Sequence, residues 1–191
     1  MANFIVNKTM EITESEIRQI FATVVWTHKI QEKQADIYLS RYNILKNLKI
    51  ILSAVTTSGI CGVVFIDKYW LKVITAIISV ISLAINAYFK EYDLKSLQKQ
   101  HKESALQLLK LRNNIISVLC DIKLGRYDEK SLLNKRDEIL VRMHDIESNC
   151  LDASSKAVDK ASENLKNRKD NTYSDDEIDS FLPILARKNK N

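Results

Sequence analysis

The sequence predicts an all-α protein: a two-helix transmembrane hairpin carried on a cytoplasmic bundle of long amphipathic helices with coiled-coil-like patterning. Three observations lead there. Two stretches, 50–66 and 73–89, each run 17 residues without a charge. The short segment 67–72 between them joins only antiparallel neighbours. The 191 residues also hold just three glycines and one proline, so little interrupts helix.

Extended by Leu48 and Leu71, the spans become 48–66 and 71–89. Each is then about 28 Å of helix, close to the roughly 30 Å of bilayer hydrocarbon. Tyr69 and Trp70 in the turn, and Tyr88 and Phe89 at the far end, suit the membrane–water boundary. Lys33, Arg41, Lys46 and Lys49 precede the first span, and Lys90, Lys95, Lys99 and Lys102 follow the second, against Lys68 and Lys72 in the turn. By the positive-inside bias both termini are cytoplasmic. Net charge is +5. With so much of it beside the spans, Arg41, Lys46, Lys49, Lys90 and Lys95 are expected to meet anionic lipid headgroups, and no direct nucleic-acid binding is expected. The alternative for the two runs is a hairpin buried in a soluble core, because stretches this short satisfy either reading.

Four segments follow in order. Segment 1–47 holds N-terminal amphipathic helices, with a start at Thr13 and Glu16, spaced as a capping box, and apolar Ile17, Ile20, Phe21 and Val24 at helical intervals. Segment 48–89 is the hairpin, and with no apolar signal peptide ahead of it the first span is expected to direct insertion. Segment 90–170 holds long antiparallel helices. Leu94, Leu97, His101, Ser104, Leu108, Leu111, Ile115, Val118 and Ile122 alternate in threes and fours as a heptad seam that Gly125 closes. Since neither glycine nor proline lies between Lys68 and Leu124, the second span and this seam are expected to form one rod.

Asp128 caps the next helix, whose face is Leu132, Ile139, Met143, Ile146, Cys150, Ala153 and Ala157, and whose far part, 154–170, is expected to fray or to be solvated. Segment 171–191 is a short helix capped by Ser174 and Glu177, then an apolar cluster with Phe181, Leu182, Pro183, Ile184 and Leu185, and a basic tail.

Polar residues inside the spans are the candidate site. Thr75, Ser79, Ser82 and Asn86 fall within an arc of about 60°. Ser53, Thr56 and Thr57 share one side of the first span, and Gly59 and Gly62 turn to another, suited to close helix packing. The hydroxyls and amide either hydrogen-bond between helices or line an aqueous path once several hairpins assemble. His101 is read as a partly solvated histidine, or else as a pH switch or register-setting polar residue. His28, His101 and His144 are too scattered for a metal site, Cys61, Cys120 and Cys150 form no CxxC pair, and no glycine-rich phosphate loop or nucleophile–base pair stands out. No metal, cofactor or catalytic residue is expected.

The order of elements, with Trp26, Thr27, His28 and Lys29 on the first amphipathic helix, a Tyr- and Arg-containing helix, the tight hairpin, a long leucine-rich helix and an antiparallel end with Phe181, Leu182 and Pro183, resembles the bacterial SLATT family over about residues 10–186. The resemblance implies a two-span effector of the bacterial inner membrane, beside nucleotide-signalling enzymes or reverse transcriptases in anti-phage systems. It implies a homo-oligomer that opens a pore and arrests the infected cell, with an upstream nucleotidyltransferase or reverse transcriptase, or its product, as the signal. The alternative is a membrane-anchored signalling or scaffold protein that recruits a partner without conducting.

Overall fold

The structure, a computed structural model, describes residues 2–65, 68–170, 173–174 and 176–178. The apolar cluster at 181–185 lies outside them. Five helices run in order: α1 (Ala2–Phe65), α2 (Tyr69–Glu91), α3 (Leu94–Lys123), α4 (Glu129–Glu147) and α5 (Ser155–Lys166). The described residues are all-α.

α1 organises the rest. Its 64 residues, about 95 Å at helical rise, pass without interruption from the bundle through the first span. The expected helix start at Thr13 does not form: Thr13 is buried at mid-helix, and its hydroxyl donates to the Thr9 carbonyl at 2.9 Å. A capping residue starts a helix only where the preceding backbone leaves the helical region, and here the buried face continues across Thr13.

Ile17, Ile20 and Val24 of α1 meet Leu108, Leu111, Ile115 and Val118 of α3, and Leu132, Ile139, Met143 and Ile146 of α4, in one core. The heptad seam read from the sequence is therefore the buried face of α3. Lys123 pairs with Glu14 while His101 meets Gln31, so α3 runs antiparallel to α1. Arg136 pairs with Glu16 while Leu151 meets Gln31, so α4 folds back on α3. The turn between them is as expected. Gly125 adopts φ +66, its N–H donates to the Ile122 carbonyl and that of Arg126 to the Asp121 carbonyl, a Schellman ending. Asp128 caps α4 reciprocally with Ser131.

Two expectations about where the later helices run also fail. α2 and α3 are not one rod, for the helix breaks at Tyr92 and Asp93, where the Asp93 carboxylate accepts the Ser96 N–H at 3.0 Å. Asp93 and Ser96 repeat the spacing of Asp128 and Ser131, and a good N-cap stops a helix without glycine or proline. The chain after α4 also does not fray, although most of its side chains over 154–170 are solvated, the other expectation for this segment. It leaves the helix at Ser148, removing Cys150 and Ala153 from the expected helical face, and re-enters as α5 with Ala157 and Ala161 fully buried. Small side chains there let α5 lie close along α1. Farther on, Ser174 and Glu177 form the expected reciprocal cap.

His101 is buried, not partly solvated. Its Nδ1 lies 2.5 Å from the Gln31 Oε1, and its ring stacks on Tyr38 at 5.4 Å. Burial lowers the pKa of both His101 and His28 from about 6.5, so both rings are neutral in the fold. Unfolded, they bind protons below about pH 6.5, so their contribution to stability is complete above that pH and is lost as pH falls toward the folded values. Thermal unfolding of the detergent-solubilised chain, followed by circular dichroism, should thus move to lower temperature between mildly alkaline and mildly acidic pH. His101→Gln, which keeps an amide opposite Gln31, should flatten part of that slope, and an unchanged slope in both this variant and His28→Gln contradicts the assignment.

Candidate functional site

α1 and α2 form the hairpin, and no residue of the apolar window in either helix is buried within the chain. A core hairpin of a soluble protein would be covered, so the soluble alternative loses its support. Gly62 faces Leu71, Gly59 faces Thr75, and Tyr42 meets Phe89 edge-on at 6.0 Å, which sets the pair antiparallel along its length. The half-buried seam is Leu52, Thr56, Gly59 and Gly62 of α1 against Leu71, Thr75, Ile78, Ser82, Ile85 and Phe89 of α2. A methyl group on Gly59 would sit 2.8 Å from the Thr75 Oγ1, and one on Gly62 would sit 3.3 Å from Leu71. The helices touch at the glycines.

This seam divides the polar residues differently from their grouping by sequence. Thr56 lies with the glycines, between Leu52 and Gly59, not on a separate hydroxyl face. Thr75 and Ser82 are in the seam too, and the Ser82 hydroxyl is buried without a hydrogen-bond partner. Ser53, Thr57 and Asn86 are exposed and Ser79 is half-buried. Each of these four follows a seam position by one residue, a turn of about 100°; because the helices are antiparallel, that turn brings all four to the same flank of the pair. The opposite flank, one residue before each seam position, carries Ile51, Val55, Ser58 and Cys61 of α1 and Ile74, Ile77, Ile81 and Ala84 of α2.

Most hydroxyls are satisfied within their own helix. Thr56 donates to Leu52, Thr57 to Ser53, Ser58 to Ala54 and Ser79 to Thr75, all to carbonyls at 2.8–3.0 Å. With the donor proton used this way, a hydroxyl costs little in lipid and keeps a lone pair for water or a neighbour. Arg41, Lys46, Lys49, Lys90 and Lys95 are exposed around the bundle-side end, with the Lys49 ammonium 5.7 Å from the Phe89 ring centre.

Where α1 enters the bundle it is buried nearly all round: His28, Lys29, Gln31, Gln34, Ala35 and Ile37 are all covered. The amides tie in the chain between α4 and α5. Gln31 donates to the Leu151 carbonyl at 3.0 Å, and the Gln34 carbonyl accepts both the N–H and the hydroxyl of Ser154. Lys29 reaches Glu32 at 3.1 Å and Asp170 at 3.0 Å. Burial works against the Lys29 ammonium, yet hydrogen bonds to Asp170 and Glu32 outweigh it and raise its pKa, and the same hydrogen bond lowers that of Asp170. Sequence reasoning missed this layer. Its only signal was the α1 seam register, which runs through Gln31 between Val24 and Tyr38.

With two uncovered apolar helices and a helical bundle in place, the comparison with known families is decisive. Residues 13–177 match the SMODS and SLOG-associating 2TM effector domain, family 4. The chain belongs to the SLATT family. No curated protein and no solved structure matches it. As a SLATT protein it is a membrane effector of defence-associated systems, with two transmembrane helices. Among the described residues no group of three His, Cys, Asp or Glu is placed to hold a metal.

Close approach at Gly59 can be measured. Gly59→Ala should destabilise the hairpin by about 1–3 kcal/mol through overpacking. Adding Thr75→Ala should recover most of the loss, a coupling visible in a double-mutant cycle of thermal unfolding in micelles. Additive losses would place the two residues apart.

Proposed function

We propose that this SLATT protein oligomerises in the bacterial inner membrane, with both termini cytoplasmic, and opens a pore whose wall is the flank bearing Ser53, Thr57, Ser79 and Asn86. The asymmetry of the hairpin carries this reading: one flank is mostly apolar, with Ser58 its single hydroxyl, and the other places three hydroxyls and an amide on two different helices. A tether has no use for such a division, because lipid rewards apolar side chains on every exposed face. One hairpin cannot enclose water, so several copies contribute their polar flanks. Thr56, Thr75 and Ser82 then have a packing role with Gly59 and Gly62, and Arg41, Lys46, Lys49, Lys90 and Lys95 anchor the assembly at anionic headgroups.

Continuity of α1 supplies the coupling. Any rotation or tilt that the bundle imposes on the first half of α1 reaches the first span without an intervening joint, whereas the break at Tyr92 and Asp93 frees α2 from α3. An upstream nucleotidyltransferase or reverse transcriptase, or its product, is the proposed source of that movement, in keeping with the association named in the family description. Conduction would disrupt the membrane of an infected cell as abortive infection. The competing reading is a membrane-anchored scaffold that recruits a partner and does not conduct.

Dye release from liposomes containing the purified protein separates the two. Ser53, Thr57, Ser79 and Asn86 changed together to Leu should insert normally and lose release, while Thr75→Ala with Ser82→Ala should retain it. Retention of release by the first variant rules out the polar flank as the wall. Absence of release from the unaltered protein at every protein-to-lipid ratio favours the scaffold.

A further inference from the structure

Far from the hairpin, α1, α3 and the chain around the end of α5 enclose a cleft of about 530 Å³. That lies within the range of small-molecule sites, roughly 300–1,000 Å³. Phe21 and Trp26 of α1, Ile116 of α3 and Leu165 of α5 form its walls. Among the described residues its charged lining is Arg112, Lys169 and Asp170. The Asp170 carboxylate is already engaged, by Lys29 at 3.0 Å and by the Asn164 amide, which donates to it at 2.9 Å. On the cationic side a third residue joins, the Lys166 ammonium standing 5.7 Å from the centre of the Trp26 ring. Among the described residues, the cationic groups of Arg112, Lys166 and Lys169 thus stand at an indole-walled apolar space.

The backbone makes a costly turn at this point. Lys169 has φ +51, the left-handed region that L-residues avoid. This turn brings Asp170 back to Asn164 and Lys29 and leaves Lys169 lining the cleft. Strain of this kind persists where surrounding contacts fix it, and it gathers at binding sites.

We propose that the cleft binds a small organic anion with a flat aromatic body, the ring seated against Trp26 and Phe21 and the anionic group held by Arg112, Lys166 and Lys169. The occupant bridges α1, α3 and the chain after α5. It thus fastens the segment that follows α5 to the helix that continues into the membrane. The inference does not depend on whether the hairpin conducts.

The test uses the full chain in detergent micelles, with Trp70→Phe leaving Trp26 as the sole indole, since the sequence has two tryptophans. The probes are 8-anilinonaphthalene-1-sulfonate, its uncharged relative N-phenyl-1-naphthylamine, and inorganic sulfate. Saturable probe emission sensitised by Trp26 is expected with the sulfonate, without matching affinity for the neutral probe and without displacement by sulfate. Lys166→Gln combined with Lys169→Gly, the latter suited to the left-handed backbone, should keep the unfolding temperature and weaken sulfonate binding by about tenfold or more, as loss of charge-assisted contacts does. Equal affinity for the neutral probe, or sulfonate affinity unchanged in a double variant that is still folded, overturns the proposal.

Discussion

Everything in this molecule depends on one helix keeping one register through two solvents. Along α1 a stripe runs from the buried Ile17, Val24, His28, Gln31 and Ala35 through the half-buried Tyr38 and Tyr42 to the half-buried Leu52, Thr56 and Gly59. Its lower half is covered by α3, α4 and α5, and its upper half by α2 alone. In water the stripe is held by apolar burial. In lipid that driving force is gone, and closeness of contact takes over, which is why Leu and Ile give way to Thr and Gly where α2 arrives.

Between those regimes lies the polar layer of α1. Gln31 and Gln34 are covered because they hydrogen-bond backbone and side-chain groups of the segment between α4 and α5, and Lys29 because it bridges Glu32 and Asp170. Buried groups of this kind specify partners more than they add stability, since each carries a desolvation cost that only the correct neighbour offsets. They define where the short α5 lies on α1. The bundle is thereby locked to the helix that spans the membrane, while the joint at Tyr92 and Asp93 lets the second span follow its own partner. The two ends of the hairpin are mechanically unlike.

The hairpin combines a dry interior with unequal sides. Glycine and threonine pack the seam, isoleucine and valine face one way, and Ser53, Thr57, Ser79 and Asn86 the other. On the polar side the Thr57 and Ser79 hydroxyls donate to carbonyls of their own helices, which lowers their cost in lipid.

Charge-free runs, lysine flanks, the heptad repeat of α3 and the Asp128 cap were legible in the sequence because each is a local pattern with a fixed period or spacing. From them came the all-α class, the hairpin and the antiparallel return of α4. Continuity and breakage were not legible. Thr13 looked like a cap and Asp93 did not, since whether a capping side chain is used depends on whether packing draws the backbone out of the helix there. The fate of 154–170 turned on α1, over 100 residues away in the chain, and the burial of Lys29, Gln31, Gln34 and His101 likewise turned on partners distant in sequence. Sequence settled which residues prefer lipid or a helix. The register between antiparallel helices decided which of the polar residues touch each other and which face outward, because that geometry belongs to two helices at once.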